Sequence, residues 1–123
     1  MFAEKTNLLA EAVKLTETWS PRVLGEVNDQ YIKVAKLNGQ FVWHSHEEED
    51  ELFYILKGSL KIEYRDRTIH LNEGDMHVIP KGVEHNPKAD VDCLIALIET
   101  KTTTHTGNVE TERSKSVEEQ LGS

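Results

Sequence analysis

A single cysteine, Cys93, denies this 123-residue chain any internal disulfide, and a reducing cytoplasm is the compartment such usage leads one to expect. No apolar run approaches the ~20 residues needed to span a bilayer. The opening Met1-Phe2-Ala3-Glu4-Lys5-Thr6 has no basic stretch leading into an apolar one, so no secretory signal is read there. Lys and Arg number 14 against 22 Asp and Glu, a formal net charge of −8. Without a stripe of basic residues to neutralise phosphate, neither nucleic acid nor an anionic membrane is an expected partner. Gly-x-Ser-x-Gly, a Gly-rich phosphate loop and Cys-x-x-Cys are also missing, which removes the commonest nucleophile, nucleotide and dithiol readings.

What remains is the composition of one globular domain, 37% hydrophobic and 29% charged, long enough for a single core. Three segments are expected: a helical start over 1–21, a β-domain over 22–106 and a polar tail over 107–123. Asn7 is placed to cap a helix carrying Leu8, Leu9, Ala12, Val13 and Leu15 at helical spacing, and Trp19-Ser20-Pro21 ends it. From there the period becomes two. Strands are expected over 31–37, 41–46, 52–57, 60–64, 68–71, 75–79 and 92–99. Asn38-Gly39 reads as a hairpin turn, and Lys57-Gly58, Glu73-Gly74-Asp75 and Pro80-Lys81-Gly82 read as further turns. Many short strands with frequent turns point to an all-β sandwich or barrel. Within the tail, a helical turn is expected near 116–120.

Some of those strands are apolar on both faces: Phe41-Val42-Trp43, Leu52 to Leu56 and Cys93 to Ile98. A small barrel has one interior, so the second face needs cover from the N-terminal segment, another sheet edge or a second subunit. A symmetric homodimer is the expected solution.

His44 and His46 are two apart, so on a strand both rings leave the same face, about 7 Å apart along the chain. Alone, such a pair reads most simply as solvated. Glu51 alters the weighting, because it opens an apolar strand where a carboxylate needs a partner or solvent. His85 follows the Pro80-Lys81-Gly82 turn, again a place for an inward side chain. Imidazole plus carboxylate is a donor set for Fe, Mn, Ni, Cu or Zn, and no thiolate is placed to favour structural zinc.

These residues carry a resemblance. Gly39, His44, His46, Glu51 and Gly58 resemble the first sequence motif of the cupin superfamily, with four residues after Gly39 where the pattern has about five. Gly74, Pro80, Gly82 and His85 match the second motif at each spacing; Ala89 stands where its final asparagine would be, the nearest asparagine being Asn86. The resemblance spans roughly residues 31–99. It implies a cupin-type jelly-roll barrel (a double-stranded β-helix) holding one divalent transition metal per chain through His44, His46, Glu51 and His85. Among the acidic residues 47–51, spacing favours Glu51 as ligand and leaves the other four as a solvated loop.

The remaining histidines and aromatics are weaker candidates. His70 is expected to face solvent and His105 to sit in a surface loop, while His77 is open between a group beside the site and a surface residue. Tyr31, Tyr54 and Tyr64 read as core or interface aromatics, and an inward one can offer a hydrogen bond to substrate. Trp43 is expected in a packing layer or dimer contact, outside the site, and Cys93 as an inert buried thiol. By parity with the ligands, Val42, Phe53, Ile55, Ile62 and Tyr64 should face inward and make an apolar pocket for a small organic molecule. The family resembled contains dioxygenases, sugar isomerases and decarboxylases, so fold does not choose the reaction. No general base stands beside the ligands, which favours an oxygenase-type metalloenzyme; the alternative is a non-catalytic, metal-dependent binding or sensing protein.

Overall fold

The computed structural model describes residues 4–102; the polar tail and His105 lie outside them. The chain runs α1 (Leu8–Ala12), β1 (Arg22–Val27), β2 (Gln30–Gln40), β3 (Glu51–Lys57), β4 (Ser59–Tyr64), β5 (Thr68–Asn72), β6 (Met76–Ile79) and β7 (His85–Thr100). As its spacing predicted, α1 starts at Asn7, whose side chain accepts the Ala10 N–H at 2.8 Å. It stops earlier than Leu15. Among the described residues the fold is an all-β jelly roll with one short helix.

The named strands pair antiparallel, in the order β1-β2-β7-β3-β6, with β4 joining β7 to β5. The long β7 organises the molecule. Its first residues pair with β4 (Tyr64↔His85) and its last with β3 (Glu51↔Glu99), while β2 runs beside it from Lys88 to Thr100. One strand thus belongs to both layers, and the side chains between them close a core of Phe53, Ile55, Leu60, Ile62, Ile79, Ile95 and Leu97, all buried. Of the inward residues expected from parity, Phe53, Ile55 and Ile62 lie in that core, and Val42 and Tyr64 pack against it half-buried.

Two expectations are corrected. Asn38-Gly39 is not a hairpin turn. Gly39 lies inside β2 at φ +81°, where the register jumps from Leu37↔Cys93 to Gly39↔Ala89. The surplus residues of β7 bulge out there, and the Asn38 amide bonds Asp92 Oδ1 at 2.7 Å, so the positive φ that glycine permits serves a bulge. The β1–β2 hairpin turns instead at Asn28-Asp29, with Asn28 itself at φ +53°. Residues 41–46 are not a regular strand either. Opposite them stands Pro87, whose carbonyl accepts from Phe41 N–H at 2.9 Å but which has no N–H to return, so the ladder breaks. Only His44 pairs onward.

The two-faced strands are partly covered from within. Ala12, Val34 and Leu94 form a second buried cluster with Leu8, Leu15, Leu24 and Leu56. Thus α1 and β1 shield part of the outer face of β2, β7 and β3. Tyr54, Met76, Val78 and Ile98 stay exposed on that outer face.

Candidate metal centre

The four residues named from the sequence converge. His44, His46, Glu51 and His85 are all buried, and each offers a donor atom within 4.8 Å of the others. Backbone pairing brings them together. His44 N–H donates to the His85 carbonyl at 3.0 Å and His85 N–H returns the bond at 2.9 Å, so one candidate ligand from each motif is held side by side. The 80–82 turn docks on the first motif through Gly82 N–H to the His46 carbonyl, 2.8 Å, and Lys81 N–H to the Asp50 carboxylate, 2.9 Å. Glu47, Glu48 and Asp50 are exposed, as the solvated-loop reading expects. Trp19, itself at φ +57°, stacks on Phe41 at 4.5 Å, and Phe41 meets the His44 ring edge-on at 5.5 Å.

The rings are also fixed in tautomer. Nδ1 of His44 donates to the Val42 carbonyl at 2.9 Å and Nδ1 of His85 to the Val83 carbonyl at 3.0 Å. Each bond keeps a proton on Nδ1 and leaves Nε2 as a lone-pair donor. Nε2 of His46 and Nε2 of His85 are buried without a hydrogen-bond partner, and they lie 3.5 and 3.9 Å from the same Glu51 Oε1. Buried polar atoms are normally satisfied. Nitrogens so aimed at one carboxylate oxygen fit a cation with neutral imidazole ligands. Burial supplies the charge state, lowering His46 and pushing His85 down to about 4, against the opposing Val83 bond.

Sequence reasoning missed what lies behind Glu51. Glu99 sits opposite it on β7, and Lys33 on β2 places Nζ 2.6 Å from Glu99 Oε1; Lys33 and Glu99 are fully buried. Burial raises both carboxyl groups, with Lys33 pulling the other way. The signal was parity: Lys33 alternates in phase with Ala35 and Leu37, and Glu99 with Ile95 and Leu97, which puts a lysine and a glutamate on inward faces.

Of the other histidines, His70 is exposed and His77 half-buried. The His77 ring nitrogen Nε2 lies 2.7 Å from the Tyr64 hydroxyl, and burial raises that phenol to about 12, keeping it neutral. Trp43 is half-buried beneath the Arg65 guanidinium, 3.7 Å from its ring centre. Cys93 is a free buried thiol pushed up to about 12 by burial, hence unreactive.

A jelly-roll barrel with three imidazoles and a carboxylate converging in its interior forms a group that could hold a metal ion. Residues 32–98 match the sequence profile of the family described as Cupin domain, and the chain belongs to that family. It is 36% identical over 96 residues to protein YdbB of Bacillus subtilis (strain 168), covering 77% of this chain and 85% of that one. A solved cupin-2 domain protein of Shewanella frigidimarina superposes with a TM-score of 0.75 at 45% identity, over 77% of this chain and 93% of that one. Similarity also extends to an acireductone dioxygenase of Puccinia graminis f. sp. tritici, 33% identical over 82 residues; these are 62% of this chain and 42% of the fungal protein. No helix among the described residues is long and apolar enough to cross a membrane.

Proposed function

We propose that the protein binds one divalent transition metal through His44, His46, Glu51 and His85 and acts on a small organic molecule, with an oxygenase-type reaction favoured. The observation that carries this reading is the pair of buried, unpartnered Nε2 atoms aimed with Glu51 at one point. Four protein donors leave one or two positions on an ion that takes five or six. A bound metal would polarise an oxygen ligand as a Lewis acid or, if redox-active, support oxygen chemistry. The chain's own contribution is a buried, mainly apolar interior and rings preset as neutral donors. The partial similarity to a dioxygenase agrees with this direction.

Protein purified without an affinity tag should carry close to one transition metal per chain, and His44→Ala/His85→Ala should lose it. Unchanged metal content in the double variant would sink the assignment. Nitric oxide added anaerobically to the Fe(II) form should shift its spectrum if a position is exchangeable; no shift favours a binding protein without turnover. The exposed Tyr54, Met76, Val78 and Ile98 on one sheet face support the further proposal of a homodimer formed across it.

A further inference from the structure

The candidate metal centre meets open space unequally on its two sides. Beside His44 and Glu51 lies a cavity of about 30 Å³ walled by Trp19, Phe41, Phe53 and Ile95, room for about a water molecule and no substrate. Past His85 stands Tyr64, which lines a separate and larger opening. Tyr64 is the β4 partner of His85, with ring centres 6.4 Å apart. Its hydroxyl reaches across to His77 on β6 at 2.7 Å. The two side chains face inward by parity, Tyr64 with Ile62 and His77 with Ile79. They line an open pocket of about 330 Å³ together with Asp66, Arg67, Ile69, Pro80 and Val83, a size at the small end for organic ligands. The one guanidinium at its rim, Arg67, is engaged by Asp66 at 3.1 Å, so the lining suits an uncharged molecule rather than a phosphate or sulfonate.

From this placement we infer that Tyr64, oriented by His77, is a substrate-holding residue of the pocket: its hydroxyl hydrogen-bonds one oxygen of a small, uncharged, oxygen-bearing organic molecule whose neighbouring oxygen reaches the metal. The inference rests on the metal-site reading above. A phenol hydroxyl bonded to one imidazole nitrogen keeps further hydrogen-bonding capacity for a ligand. His77 fixes where the hydroxyl points and is a positioning residue.

Catechol is a suitable probe, uncharged in solution, with adjacent oxygens and an optical band when it binds Fe(III) as catecholate, its protons passing to solvent; azide, which reaches the metal alone, is its control. In Fe(III)-loaded protein, Tyr64→Phe should raise the catechol Kd about tenfold, the size of one lost hydrogen bond, and His77→Gln about threefold. Iron content and azide Kd should be unchanged in both variants. Equal catechol affinity in wild type and Tyr64→Phe would overturn the inference, as would azide weakening in parallel, which would locate the effect at the metal. Iron-loaded wild type that gives no catechol band would overturn it too while sparing the metal site. Wild type that takes up no iron, zinc or manganese would overturn both readings together.

Discussion

At the scale of single residues, the least ordinary feature is a lysine with no exposure at all. Lys33 is tolerable inside the barrel only because Glu99 meets its ammonium at 2.6 Å. Removing one partner leaves an uncompensated buried charge, which costs about 3–5 kcal/mol, whereas removing both can be nearly neutral. Lys33→Met should therefore lower the unfolding free energy by about that amount, and Lys33→Met/Glu99→Leu should recover most of it in urea denaturation. A single variant as stable as wild type would show that the pair is not closed in solution. The same neighbourhood sets a pH dependence. The folded state holds His85 at about 4, while an unfolded histidine takes its proton near 6.5. Between these values the unfolded chain binds more protons, so this contribution is whole above about pH 6.5 and lost as pH falls toward 4. Glu99 acts oppositely: burial and Glu51 raise it, so its contribution is whole below about 4.5 and lost as pH rises through the raised value. In chelator-treated protein, Glu99→Gln should leave the acid limb of the stability profile and flatten the limb above it. A profile unchanged on both limbs would count against this account.

At the scale of elements, turns and bulges carry much of the specification. Gly58 joins β3 to β4 at φ +91°, and a Cβ there would stand 2.8 Å from the Asp92 carbonyl oxygen, a backbone atom that cannot swing away. Gly58→Ala should destabilise by roughly 2 kcal/mol or more through strain and clash together. The same change at Gly74, also at positive φ but with open space around it, should cost less. Thermal melts of the two variants side by side check the ranking, and equal losses would show that backbone strain alone governs both turns. The break in strand character at 41–46 has a similar local origin in Pro87. It places two candidate ligands on backbone held by a reciprocal His44–His85 pair instead of a continuous ladder.

For the whole molecule, the question raised by strands apolar on both faces divides in two. Part of the second face is buried internally by α1 and β1. The rest is continuous across β6, β3 and β7, since Tyr54 pairs with Met76, and Leu52 with both Val78 and Ile98. A dimer through this face predicts that the wild-type chain elutes at twice its 14.0 kDa mass by size exclusion with light scattering. Tyr54→Lys/Ile98→Glu should give a monomer that still holds metal. A wild-type monomer at micromolar concentration would refute the interface.

Four donor residues and most of the strands were legible in the amino-acid sequence, because both rest on short-range order. His44, His46 and Glu51 lie within one stretch, His85 follows its Pro-x-Gly turn at fixed spacing, and alternation marks a strand wherever one face is buried. Parity also separated inward Phe53, Ile55 and Ile62 from their neighbours. Tertiary structure alone decided what surrounds the donors. Periodicity within a strand does not say which strand lies beside it, in what register or how deep. The register of β3 on β7 sets Glu99 against Glu51, that of β2 on β7 brings Lys33 to the same spot, and closure of the barrel mouth sets His77 against Tyr64. The candidate ligands follow from local spacing, and the charge behind them and the Tyr64–His77 contact follow from long-range pairing.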